Sequence, residues 1–221
     1  MTITRFCLIR HGETDWNAEK RYQGQLDIGL NAMGEAQARA LGTMLTGTQF
    51  SAAYASDLQR AWRTAELALA GQVAAVPATG HFILPAPALR ERHYGVFQGH
   101  TIAEMRIEHP EAHAHYEARE PGYDFETGES LTAFARRVLS GLAAMAREHC
   151  GGTVVAFTHG GVLDVVYRAA VGRDLSGPRD FSIPNTGINW LHLDEDLWRL
   201  DSWGDTRHLA ALRTALDEAT L

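Results

Sequence analysis

The chain has 221 residues, 45% hydrophobic and 21% charged, the make-up of a folded protein with a sizeable core rather than a fibrous or disordered one. Its formal net charge of −7 argues against a general nucleic-acid binder, whose affinity rests on basic residues that neutralise phosphates, so any anion site has to be local. No apolar run reaches the roughly 18 residues of a membrane span, Met1–His11 has no signal-peptide core, and two cysteines make no disulfide framework; a cytoplasmic protein with Cys7 and Cys150 as buried thiols is expected.

In chain order, Ile3 to Ile9 is short, β-branched and apolar and stops at Arg10, His11, Gly12 and Glu13, as a buried strand entering a loop does. Ala36, Ala40, Leu41, Met44 and Leu45 fall on helical spacing within Ala32 to Leu45, and Phe50 to Tyr54 reads as a second strand, completing a β-α-β unit. Ser56 or Asp57 is the expected N-cap of a helix through Ala70. Pro77, Pro85 and Pro87 mark an irregular connection, and Glu104 to Arg119 reads as a helix interrupted at Pro110.

After a loop at Pro121 to Gly128, a helix is predicted from Ser130 to His149, ended by Gly151 and Gly152. Thr153 to Thr158 is continuously apolar, as a strand covered on both faces would be, and a helix from Val162 to Val171 follows. Ile188 to Leu193 and Trp198 to Trp203 read as strands and Leu209 to Leu216 as a terminal helix. The expected fold is α/β: a three-layer sandwich with a mostly parallel central sheet and helices on both faces. It forms one domain over residues 1–221, with about 100–128 as a small helical cap insertion. Functional loops gather at the carboxyl ends of such strands, which brings together His11 and His159, far apart in sequence.

The densest signal is Leu8 to Asn17, Leu-Ile-Arg-His-Gly-Glu-Thr-Asp-Trp-Asn. A neutral imidazole is nucleophilic near pH 7, an adjacent guanidinium binds phosphoryl oxygens bidentately, and Gly12 lets backbone approach a phosphate. The run resembles the signature of the histidine phosphatase superfamily, also called phosphoglycerate mutase-like, whose histidine becomes phosphohistidine. The resemblance spans nearly the whole chain.

It implies a phosphate-binding arginine at Arg60 within Ala55 to Glu66, with Arg63 as a solvated alternative, and a general acid at Glu91 within Leu89 to Gly99. It further implies a second phosphoryl-contacting histidine at His159 in Thr158-His159-Gly160-Gly161. The catalytic set is thus His11, Glu91, His159, Arg10 and Arg60, with Asn17, Gly24 and Gly160 as further substrate-binding positions. Two guanidiniums and two imidazoles around the oxygens leave no need for a metal or other cofactor. His109, His113 and His115 lack the carboxylate or cysteine pattern that would complete a metal site.

Glu91 to Gly95, with Gln98 and Gly99, resembles the mutase branch of that family. However, the lysine and paired arginine of that branch are absent, and Thr101 to Glu129 contains no lysine. The wording there resembles compact phosphatases acting on sugar phosphates and related small monoesters. The expected function is a metal-independent phosphomonoesterase with a small phosphorylated metabolite as partner. A cofactor-dependent mutase is the alternative, and a catalytically silent phospho-ligand module a further one. Gln98, Phe97 and the Gly204-Asp205 tail depart from the family wording, Tyr94 and Phe97 either shape a pocket or form core, and a homodimer is left open.

Overall fold

The computed structural model describes residues 3–71 and 82–212. Its elements are β1 (Thr4–Arg10), α1 (Asp15–Ala18), α2 (Ala32–Leu45), β2 (Ala52–Ala55), α3 (Gln59–Leu69) and β3 (Ile83–Pro85). There follow α4 (Ile102–Glu108), α5 (Pro110–Glu117), α6 (Leu131–Glu148), β4 (Thr153–Thr158), α7 (Gly160–Val171), β5 (Ile188–Asp194) and β6 (Leu197–Asp205). The strands form one sheet in the order β3-β2-β4-β1-β5-β6. The β3–β2, β2–β4 and β4–β1 pairings are parallel, while β1–β5 and β5–β6 are antiparallel, so the mostly parallel α/β sandwich stands.

Alternation along β1 distributes its side chains between two cores. Phe6 and Leu8 enter a cluster with Phe134, Val138 and Leu142 of α6 and Val162 and Val166 of α7. Cys7 and Ile9 point to the opposite face, against Leu41 and Leu45 of α2 and Ala65 and Leu69 of α3. β4 lies at the centre with Val154 to Phe157 fully buried, which is why its sequence is an unbroken apolar run. Five rings and three other side chains of the 94–125 region form a third cluster, with Phe97, Met105, Ala112 and Phe125 buried and Tyr94, Tyr116 and, from outside the region, Tyr22 among those packed on it.

Local chemistry sets several boundaries. Asn31 accepts from Gly34 N at 2.8 Å to start α2, and Ser130 accepts from Ala133 N at 3.1 Å to start α6. Thr101 and Glu104 close a capping box on α4, and Pro110, lacking an N–H, starts α5 afresh instead of continuing α4.

Several expectations need correction. β1 and β2 do not pair, because β4 lies between them; the β-α-β connection through α2 therefore skips a strand. Neither Ser56 nor Asp57 is the N-cap of α3; Leu58 occupies that position, and Asp27 Oδ1 accepts from Gln59 N at 2.7 Å. The proline-rich connection contains a strand, β3, whose Pro85 is tolerated at the sheet edge, and Pro87 opens a 3₁₀ turn. Cys150 is exposed, whereas Cys7 is buried. Pro77 and residues 213–216 of the expected terminal helix lie outside the described residues. Among the described residues, no helix is long and apolar enough to cross a membrane.

Candidate active site

His11 follows the carboxyl end of β1 and His159 that of β4, and because these strands are neighbours the two rings lie 5.2 Å apart between centroids, tilted by 56°. Both are buried. His11 Nδ1 lies 2.7 Å from Gly12 O. A carbonyl can only accept, so Nδ1 carries the hydrogen and Nε2 keeps its lone pair. The Gly12 turn is held by Gly12 N donating to Thr64 Oγ1 at 3.0 Å and by Thr64 Oγ1 donating to Arg60 O at 2.6 Å. A Cβ at residue 12 would meet Gly34 O at 2.5 Å, so only glycine lets α2 approach the loop.

Two guanidiniums converge on the histidines. Arg10 Nη1 donates to Ile183 O at 2.7 Å. Arg60, buried on α3, donates to Gly24 O at 2.7 Å and Leu26 O at 2.9 Å. Gly24 takes φ +52, in the left-handed region, and a Cβ there would meet Gln98 Oε1 at 2.2 Å, so its contribution is a carbonyl that orients Arg60. Burial, opposed by Glu91 and Asp27, brings Arg60 down to about 10, still charged at neutral pH. Arg10 Nε, Arg60 Nε and His159 Nδ1 are buried without a hydrogen-bond partner. Burial first, and then the charges of Arg60 and Arg10, hold His11 well below the usual imidazole value. The same causes, with burial again foremost, lower His159. Both rings are neutral at pH 7.

Glu91 sits across from these cations. Its Oε1 accepts from Arg92 N at 2.7 Å and its Oε2 from Gly161 N at 2.9 Å, so the start of α7 fixes the carboxyl group. Its flanking arginines are not its ion-pair partners: Arg90 grips Asp57, its Nε donating to Oδ1 at 2.7 Å, and Arg92 donates to the carbonyls of Glu129 and Tyr123. Gly160 opens α7 beside Arg10, where an added Cβ would meet Arg10 Nε at 3.7 Å. Asn17 closes a capping box with Thr14, and its Oδ1 also accepts from Asn185 Nδ2 at 3.4 Å.

All eight sequence-derived positions thus lie in or against one region, Asn17 and Gly24 at its loops. Arg63 is elsewhere, exposed and paired with Glu35 and Glu66. The sequence reading missed Ser56, whose Oγ is 2.8 Å from His159 Nε2, and Asn185, which donates to His11 O at 2.9 Å. Ser56 follows β2 directly, and the carboxyl-end rule already applied to His11 and His159 was the signal for it. Phe97 is core, whereas Tyr94 lines a cavity. In the divergent tail, His208 still reaches the site loop, its Nε2 being 3.0 Å from Thr186 Oγ1. Among the described residues no group of three or more His, Cys, Asp or Glu is placed to hold a metal ion.

A sheet of this topology, with paired histidines and arginines over its carboxyl edge, is the arrangement of a phosphoryl-handling α/β enzyme. The family model of the histidine phosphatase superfamily (branch 1) matches residues 6–206, and the chain belongs to that superfamily. It is 34% identical over 212 residues to the metal-independent phosphoserine phosphatase of Arabidopsis thaliana, covering 95% of this chain and 85% of that protein. It is 37% identical over 205 residues to phosphoglycerate mutase-like protein 4 of the same plant, covering 91% and 85%. Among solved structures, Bacillus stearothermophilus YhfR superposes with a TM-score of 0.84 at 30% identity, over 93% of this chain and 99% of that one.

Proposed function

We propose that this chain is a metal-independent phosphomonoesterase that hydrolyses small phosphorylated metabolites through a phosphohistidine at His11. The observation that carries the mechanism is the tautomer of His11: with Nδ1–H committed to Gly12 O, Nε2 presents its lone pair between two guanidiniums and a neutral second imidazole. Nε2 attacks phosphorus and the P–O ester bond breaks. Glu91, as the general acid, delivers a proton to the leaving oxygen. The resulting carboxylate then takes a proton from water, the water oxygen attacks phosphorus, the P–N bond breaks, and inorganic phosphate leaves with His11 neutral again. Arg10, Arg60 and His159 stabilise the charge on the three non-reacting oxygens. Asn17, Gly24 and Gly160 hold these groups in register, and residues 100–128 act as a cap on the leaving-group side of a single domain.

The name of the plant phosphoserine phosphatase supports hydrolysis. That of the mutase-like relative keeps phosphoryl return to a second acceptor as the other reading. Steady-state release of phosphate from an aryl phosphate, with chelator present and no acceptor, tests the assignment. Turnover is expected. Its absence, together with transfer between phosphoglycerates, would establish the mutase instead.

A further inference from the structure

The segment that carries Glu91, residues 90–94, is neither strand nor helix, so side chains have to satisfy much of its backbone. Thr158 Oγ1, at the end of β4, donates to Leu89 O at 2.8 Å, and Gln25 Nε2 donates to Glu91 O at 3.1 Å. A single guanidinium then spans the segment. Arg137, on α6, donates through Nη1 to Ala88 O at 2.9 Å and Arg90 O at 3.1 Å, and through Nη2 to Glu91 O at 3.3 Å. Glu129 fixes that guanidinium in turn, its Oε1 accepting from Nε at 2.8 Å and its Oε2 from Nη2 at 2.7 Å, the bidentate geometry. Glu129 Oε2 also accepts from His93 N at 3.1 Å, and Glu129 N donates to His93 O at 2.9 Å. The backbone is thus held on both sides of the acid. Burial opposes ionisation of Glu129, but the hydrogen bonds of Arg137 and His93 keep it below the usual carboxylate value, so the pair is charged at neutral pH. The charge of Arg137 also reaches the phosphoryl end, where, behind burial and the charges of Arg60, His11 and Arg10, it helps lower His159.

We propose that Arg137, set by Glu129, is a positioning residue that aims the Glu91 carboxyl group at the leaving oxygen. The carboxyl is tethered at both oxygens, to Arg92 N and Gly161 N, but the Arg92 tether travels with the segment that Arg137 holds. A planar fork of N–H groups reaches three carbonyls and a carboxylate at once, which the point charge of an ammonium cannot do. Without the fork the carbonyls of Ala88 and Arg90 lose this donor and the segment loosens; a shift of about 1 Å at the acid costs on the order of 10²-fold in rate. This rests on the hydrolase reading above, with Glu91 as its acid, and adds the residue that sets the acid in place.

The test compares kcat/KM of the full chain and its variants on an alkyl phosphate, whose leaving oxygen needs the proton, and on a nitrophenyl phosphate, whose phenolate needs little help. Glu91→Gln, which keeps the shape of the acid but has no proton to give, is the reference. In Arg137→Met the alkyl ester is expected to lose about 100-fold and the aryl ester less than about 10-fold, the pattern of the reference. Arg137→Lys stays close to Arg137→Met. Glu129→Gln shows the same selectivity at a smaller loss, because its amide oxygen still accepts from His93 N while its amide nitrogen no longer holds Arg137. A residue that merely supported the fold would lower both esters alike. Equal losses in Arg137→Met, a native value on the alkyl ester, or full recovery in Arg137→Lys would each overturn the proposal. If Arg137→Met does not fold, Glu129→Gln decides by the same comparison. A selective loss in Glu91→Gln that is missing from the Arg137 and Glu129 variants refutes this proposal alone. No selective loss in Glu91→Gln, or no turnover of either ester by the native chain, removes the acid or the hydrolase reading and this proposal with it.

Discussion

Gly161→Ala separates the acid from the nucleophile. A Cβ at residue 161 would lie 2.1 Å from Glu91 Oε1 and 3.1 Å from its Cδ, with Phe134 Cε1 also close at 3.3 Å. The methyl cannot retreat into Phe134, so the carboxyl group has to move by about 1 Å, and a displacement of that size costs on the order of 10²-fold in rate. The obstructing atom is the end of a flexible side chain, so the fold loses no more than a hydrogen bond of Glu91, about 1 kcal/mol. The variant and native chain would be assayed on an alkyl phosphate, whose alkoxide needs the proton, and on a nitrophenyl phosphate, whose phenolate leaves without much help. The expected result is a roughly 100-fold fall in kcat/KM, which covers the steps up to departure of the alcohol, on the alkyl ester and a fall of less than about 10-fold on the aryl ester, with thermal unfolding little changed. Equal losses of kcat/KM on both substrates, or native kcat/KM on the alkyl ester, would show that Glu91 is not the acid.

Folding stability is expected to depend on pH through His11 and His159. Both are held below the ordinary value in the fold, chiefly by burial, while the unfolded chain titrates near 6.5. The unfolded state therefore takes up protons first, so stability is full above about pH 6.5 and declines as the pH falls below it, by up to about 1.4 kcal/mol per pH unit for each ring. Urea midpoints at pH 7.5 and 5.5 check this, and a midpoint that stays level or rises on acidification would contradict it. Thr64→Val should cost about 1–3 kcal/mol, because buried Gly12 N loses its acceptor without gaining water; the readout is the urea midpoint together with a lowered kcat from the loosened His11 loop. His11→Ala should reduce phosphate release by on the order of 10⁴- to 10⁶-fold, and full turnover in that variant would end the phosphohistidine mechanism. Inorganic phosphate, a ligand for the cation cluster, should raise the melting temperature, by the equivalent of about 2.7 kcal/mol at 100 times its Kd; the gain should be smaller in Arg60→Gln.

The identity of the reacting groups was legible in the sequence because motif chemistry is local. Leu8 to Asn17 sets a nucleophile, a guanidinium and a permissive glycine within a few residues of a strand end, and the apolar run Thr153 to Thr158 announces a central strand that delivers His159. The three-layer α/β class followed from alternating apolar periods, and α2 spans the residues expected of it. Relations between distant segments were not legible. That β4 inserts between β1 and β2 depends on which edges pair, and no periodicity records that. Ser56 read as a helix cap because short polar side chains before a helix usually are; it bonds to His159 because β2 ends beside β4. Arg119 and Arg179, which both donate to Asp164, come from loops well apart from it in sequence, and a lone acid in the apolar helix from Val162 hints only that cations must lie nearby. The sequence determines which chemistry is available, since nucleophile, cation and acid are properties of residues. Tertiary structure alone decides which charges are neutralised by neighbours and which stay open, because that depends on distances across the fold.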